Sequence, residues 1–330
     1  MTETVLQQQQ AEAAESIVRV EAAEEPPRPE ASHPAAGRRL FSREGLLAFG
    51  FLSPTLLVFS VFILFPILFS LYLSFSQWNL FGGEAAFVGL DNYARMFGDA
   101  EFWDVLANTG IYTVGTVPLN MALALGAAFY LNTRVIGKRF LRAAFFTPVV
   151  ISAVAAAVVW RWVFDPNLGL ANYALEALGF GAVNWSNSPT AAMVALIIVG
   201  VWKSFGINMV LFSAGLAGIP QPYYEAAAID GANGWQKFWH ITVPLLAPTT
   251  LFVLVISIIG SFQVFDIVFV LTSGGPLGAT KVLVFYLYEH AFKYFDMGYA
   301  SAVAYVLFAM LFVLTLVQIR AFRGRGVKGV

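Results

Sequence analysis

Nothing constrains the folding of this 330-residue chain as strongly as six stretches that stay apolar for about twenty residues or more. They run approximately from Leu46 to Phe75, Val105 to Leu131, Ala143 to Phe164, Ala191 to Ala217, Leu245 to Leu271 and Tyr299 to Ile319. A hydrocarbon core about 30 Å thick is crossed by about 20 residues of helix. In lipid, a helix satisfies its backbone polar groups within its own segment. The chain is therefore expected to be an all-α, polytopic membrane protein with six transmembrane helices. Apolar residues make up 58% of it and charged residues 12%, and the mean hydropathy of +0.71 lies far from the soluble norm. Pro54, Pro66, Pro118 and Pro148 fall within or near the ends of these runs and are expected to kink helices rather than end spans.

Residues 1 to 43 are rich in Glu, Gln, Ala and Pro and cannot bury enough apolar surface to offset their ordering entropy, so a disordered tail is expected. No basic region precedes a short apolar core at the start, and no cleavable signal is expected. Residues 44–320 form the transmembrane domain, and 321–330 form a short basic tail.

Lys and Arg set the orientation. Placing the tail, the second-to-third loop, residues 218–244 and the C-terminus on one side collects Arg19, Arg28, Arg38, Arg39, Arg43, Arg134, Lys138, Arg139, Arg142, Lys237, Arg320, Arg323, Arg325 and Lys328. That is 14 of the 19 basic residues. The opposite loops hold Arg95, Lys281 and Lys293, and Arg161 and Lys203 fall near or within spans. The positive-inside rule then puts both termini and the 218–244 loop in the cytoplasm of a multi-pass cell-membrane protein.

That loop is the most informative polar segment. Tyr224-Glu225-Ala226-Ala227-Ala228-Ile229-Asp230-Gly231-Ala232 lies between two apolar runs and is too polar for hydrocarbon. The Ala-rich stretch after Pro222 favours a short helix with Pro in its first turn and Glu225 toward the positive end of the dipole. Gly231 offers a break, a second short helix follows from about Trp235 to Ile241, and Pro244 is tolerated in the first turn of the next long helix.

These residues resemble the membrane-spanning permeases of binding-protein-dependent ATP-binding-cassette (ABC) importers. Their cytoplasmic loop carries Glu-Ala-Ala, a Gly six positions after the Glu, an Ile ten further on, and Leu-Pro. Glu225, Ala226, Ala227, Gly231, Ile241 and Pro244 match that pattern, Val243 replaces the Leu, and Asp230-Gly231-Ala232 is similar to the carbohydrate-importer branch. Phe87 to Tyr93, Gly137 to Phe164, and Leu271 to Pro276 with Thr280 also resemble segments of that family in order and spacing. The resemblance implies the type I importer fold, a second permease, a cytoplasmic ATPase dimer docked on the Glu225 to Pro244 element, an extracytoplasmic solute-binding protein and a carbohydrate cargo. Glycerol phosphate or a related polyol phosphate is the alternative cargo.

The chain carries no G-x-x-x-x-G-K-[ST] phosphate loop, and its three histidines show no metal-ligand spacing. It is expected to be a transport subunit and not an enzyme, with no cofactor, metal or nucleic-acid partner. Sugars bind through aromatic faces and through amide, hydroxyl and charged groups, so the candidates for the solute path are Trp202, Lys203, Ser204 and Asn208 in the fourth span, and Gln263, Phe265 and Asp266 in the fifth. A charge at mid-membrane costs about 2.5–3.5 kcal/mol. Lys203 therefore either faces a cavity, or snorkels or pairs structurally with Asp266. That second possibility leaves room for an ion-coupled carrier, a weaker reading because no relay of buried acids accompanies the pair. A membrane scaffold without transport is weaker still, since it does not require the spaced loop pattern.

Overall fold

The computed structural model describes residues 43–79, 81–133 and 135–322. The expected N-terminal tail, apart from Arg43, and most of the C-terminal basic tail lie outside the described residues. The chain divides into two compact units, Met1–Ile63 and Leu64–Val330. In the first, helix α1 (Arg43–Phe59) carries Pro54 in its interior.

The second unit begins with α2 (Phe65–Ser74). A hairpin follows, β1 (Ser76–Asn79) against β2 (Gly82–Phe87), antiparallel with Ser76 opposite Phe87. The sequence reading did not anticipate these strands. Next come α3 (Asp91–Gly98), α4 (Ala100–Asn132), α5 (Lys138–Val150), α6 (Ala153–Val163), α7 (Leu170–Ala177) and α8 (Pro189–Ala217). After α8 come the loop helices α9 (Gln221–Ile229) and α10 (Gly234–Lys237), then α11 (Ala247–Phe262), α12 (Asp266–Leu271), α13 (Leu283–Tyr288) and α14 (Met297–Phe322).

Among the described residues, five helical stretches are long and apolar enough to cross a membrane: Phe49–Ser74, Ala100–Asn132, Pro189–Ala217, Ala247–Leu271 and Met297–Phe322. The third expected span is instead a broken pair, α5 and α6, bent by 101°. Pro118 leaves α4 intact through Asn132. Pro148 lies one turn before the break, whose Ile151 and Ser152 both take extended backbone angles. The expected kink is here a full break of the helix, within one span if the bent pair is taken together: a proline near a helix end removes an amide donor, and the extended pair after it releases the next turn.

Side-chain bonds fix the helix directions. Tyr112 of α4 lies against Gly200 of α8, and Asn120, further along α4, bonds Ser204 and Asn208, further along α8, so α4 and α8 run the same way. Lys203 meets the end of α5 while Gly206 meets Phe145 earlier in it, so α5 runs the opposite way. By the same reasoning α11 opposes α8, through Gly215 against Thr249 and Asn208 against Ser257. The loop 218–244 therefore stands at the end of the bundle opposite the hairpin.

At the hairpin end the Phe87 to Tyr93 segment acts as a clasp. Asn92 is buried and donates to the carbonyls of Ser74 and Ser76 at 3.0 Å each, and the Tyr93 hydroxyl donates to Ser74 Oγ at 2.8 Å. Nearby, Lys281 pairs with Glu101 at 2.6 Å and Glu289 at 2.8 Å, and Lys293 also pairs with Glu289 at 2.8 Å. Burial alone raises the Glu289 carboxyl, but the two ammonium groups outweigh it and hold it below the usual carboxylate range. The Phe262, Tyr286 and Tyr299 side chains pack the core at this end, and Leu131, Phe212 and Leu246 pack it at the other.

Candidate functional site

Two places bring the sequence-singled residues together. The first is the loop 218–244. Pro222 occupies the first turn of α9, where its missing N–H costs nothing. Glu225 and Ala226 lie mid-helix, and α9 ends at Asp230, followed by Gly231 at φ +78°, a left-handed conformation that a side chain disfavours. Asn233 then starts α10 with a capping box: its side chain accepts from the Gln236 amide at 2.9 Å, and the Gln236 side chain accepts from the Asn233 amide at 2.9 Å. This Asn-x-x-Gln signal is legible in the sequence and was not used there.

α10 continues through a π-helical turn, Phe238–Thr242, so Ile241 and Pro244 enter the base of the next span. The Tyr224 hydroxyl lies 2.9 Å from the Thr242 hydroxyl, tying the two loop helices, and Phe238 packs edge-on against Phe129 of α4 at 5.7 Å. The loop is thus joined to helices of the bundle. Its outer side is apolar and open, with Ile229 87% and Trp235 70% exposed.

The second place is a cavity of about 220 Å³ between α4, α8 and α11. Lys203, Ser204 and Asn208 line it, joined by Asn120, Ser257 and Ser261, with Val117, Ile207, Ile256 and Ile267 as apolar walls. Asn208 is buried and donates to Asn120 Oδ1 at 2.6 Å and Ser257 Oγ at 3.0 Å. Asn120 donates to the Val201 carbonyl at 2.8 Å and Ser204 Oγ at 2.9 Å. The sequence reading missed Asn120, Ser257 and Ser261. Isolated Asn and Ser residues in long apolar runs were the available signal.

The other candidates lie elsewhere. Trp202 packs edge-on against Trp160 of α6 at 5.5 Å. Phe265 joins Phe269, Phe285 and Tyr288 in an aromatic cluster. Gln263 and Asp266 are exposed at the break between α11 and α12. The pairing of Lys203 with Asp266 is corrected: the ammonium donates instead to the carbonyls of Pro148 at 2.7 Å, Val149 at 3.3 Å and Ile151 at 2.5 Å. Backbone acceptors freed at a helix break satisfy a half-buried ammonium without a second charge.

A loop of two short helices under a bundle with one broken span is an arrangement with relatives. Residues 120–327 match the family model of the binding-protein-dependent transport system inner membrane component. The chain belongs to that family. The permease is 37% identical over 308 residues to AraP, the arabinooligosaccharides transport system permease protein of Bacillus subtilis (strain 168), covering 91% of this chain and 97% of that one. It is 35% identical over 279 residues to SmoG, the sulfoquinovosyl glycerol transport system permease protein of Agrobacterium fabrum, covering 84% and 91%. Its fold matches the crystal structure of a bacterial ABC transporter involved in the import of the acidic polysaccharide alginate, with a TM-score of 0.74 at 22% identity over 86% of this chain and 97% of that one. Both the loop and the cavity of the permease fall within or against the matched region.

Proposed function

We propose that this permease carries a carbohydrate inward across the cell membrane as one of two permease subunits, with two cytoplasmic ATPase subunits and an extracytoplasmic solute-binding protein. The single observation that carries this reading is the 218–244 element. It is a capped pair of short helices with exposed Ile229 and Trp235 and a glycine hinge, tied together by the Tyr224–Thr242 contact and fastened by Phe238 against Phe129 to α4, one of the helices that line the cavity. Such an apolar face beside the Glu225 carboxylate suits a groove on an ATPase subunit, with Glu225 meeting a basic residue there and Ala226, Ala227 and Gly231 permitting close approach. Closure of the ATPases on ATP is then transmitted through Ile241 and Pro244 into α11. Cavity walls that carry amides and hydroxyls suit a hydroxyl-rich solute. The loop and both chain ends face the cytoplasm, as the basic residues require.

The cargoes named for the relatives, arabinooligosaccharides, sulfoquinovosyl glycerol and alginate, support a carbohydrate and leave its charge open. The test is uptake of a saccharide panel into vesicles holding the co-purified complex. Uptake that needs both ATP and the binding protein is the expected result. Uptake by this chain alone under an ion gradient would overturn the proposal.

A further inference from the structure

Lys203 borders the cavity and is committed to a broken helix. Helix α5 stops at Val150, the chain turns by 101° into α6, and the last carbonyls of α5 have no partner in a following turn. These carbonyls also carry the negative end of the helix dipole. The Lys203 ammonium of α8 sits against them, donating to the carbonyls of Pro148, Val149 and Ile151 at 2.5–3.3 Å. An ammonium has three N–H donors and no more. All three are therefore spent on the broken helix, although the side chain also borders the cavity.

Lys203 is the one charged residue lining that cavity among the described residues. The rest of the lining is Asn, Ser, Thr, Tyr and Gly among aliphatic side chains. Its buried amides are themselves engaged, Asn208 with Asn120 and Ser257, and Asn120 with Val201 and Ser204. A phosphate, sulfonate or carboxylate entering here loses its hydration and meets only an ammonium whose donors are already spent on the carbonyl dipoles of α5, and burying a charge without direct partners is costly. A neutral hydroxyl-bearing ring gives up far less.

We infer that Lys203 is a positioning residue that pins the broken α5–α6 span, and that the cavity beside it therefore selects an uncharged, hydroxyl-rich solute over a phosphate- or carboxylate-bearing one. The inference rests on the carbohydrate-carrier reading and sharpens it: the polyol phosphates, for which Lys203 is the natural cationic partner, are disfavoured because the donors of that cation are already engaged.

The test is equilibrium binding to the purified permease–ATPase complex with the binding protein omitted, so that its own selectivity does not enter. The probes are a labelled neutral panel (arabinotriose, maltose, trehalose) and an acidic panel (galacturonate oligomers, glycerol 3-phosphate). The wild type should bind a neutral member at least tenfold more tightly than every acidic one. Equal or tighter binding of an acidic member overturns the inference. Lys203→Arg brings five donors to three carbonyls and leaves two uncommitted beside the cavity that residue 203 lines, so the acidic-to-neutral affinity ratio should rise at least tenfold. An unchanged ratio with neutral binding retained overturns it as well. If that variant does not assemble, Ser257→Lys, which places an uncommitted cation in the same cavity, should raise the ratio likewise, and the wild-type comparison stands by itself. If the complete system takes up no saccharide of either panel with ATP and binding protein, the carrier reading fails, and this inference fails with it.

Discussion

Asn208 of α8 donates its side-chain amide to Oδ1 of Asn120 of α4 at 2.6 Å, and both residues are almost fully buried. The pair ties two spans at mid-length and reaches α11 through Ser257. Interhelical bonds of this kind in membranes are worth about 0.6 kcal/mol on average and up to about 1.7. Replacing Asn208 by Leu strands the Asn120 acceptor as well as removing two bonds, so a loss toward the upper end is expected. Thermal unfolding in detergent should show a clearly lower Tm for Asn208→Leu and a smaller drop for Ser213→Ala, whose hydroxyl bonds only the Met209 carbonyl of its own helix. Equal losses would mean that the inter-helix pair contributes nothing.

The contact between α5 and α8 depends on Gly206. A Cβ built there would collide with the carbonyl oxygen of Phe145 and crowd the Phe146 Cα, both of them backbone atoms that cannot rotate away. Gly206→Ala must therefore push α5 outward and loosen the Lys203 contact three residues earlier. The expected outcome is reduced thermal stability and reduced uptake. Gly126→Ala, where nothing lies within 4 Å, should leave both unchanged. Measuring the two variants side by side separates close packing from a general intolerance of alanine.

How much of this was legible beforehand depends on the range of the interactions. The apolar runs are local, and five of the six expected spans follow from them. The loop helices are local too, since Pro222, Gly231 and Asn233 each act within their own turn. The break at Ile151–Ser152 was half-legible, because Pro148 marks the region but a kink and a break share that signal. The partner of Lys203 was not legible at all. Its acceptors are backbone carbonyls more than 50 positions away, and every residue carries a carbonyl. Trp202, Gln263, Phe265 and Asp266 are candidates by side-chain type, which does not say which way a helix turns them. The helical turn instead sends Trp202 toward α6, and the break after Phe262 takes Gln263 and Asp266 to exposed positions.

The ion cluster at the hairpin end should make stability depend on pH. Glu289 is held below its ordinary value because Lys281 and Lys293 outweigh its burial. A depressed carboxyl contributes stability above its unfolded pKa of about 4.3, and the contribution disappears as pH falls through the lower folded value. Glu289→Gln should therefore unfold at a lower temperature than wild type at pH 7, with the two curves converging below about pH 4. A gap that persists undiminished at pH 3 would assign the effect to packing and not to charge.

The hinge of the loop gives the most direct test of coupling. Gly231 sits at φ +78° with open space around its Cα, so a side chain there meets no steric neighbour and is opposed only by its own backbone. Holding a non-glycine residue in the left-handed region costs about 1–2 kcal/mol, and a β-branched residue is the worst fitted to it. Gly231→Val should relieve that strain by rotating α10 relative to α9, misaligning the face that carries Ile229 and Trp235. A marginal local cost would then become a large functional loss: membrane insertion near wild type, ATP-driven uptake reduced at least tenfold. Gly234→Ala, with no left-handed angle and no neighbour within 4 Å, is the matched control and should transport normally. Full uptake by Gly231→Val, at wild-type abundance in the membrane, would show that the geometry of this loop is not what connects the solute path to its drive.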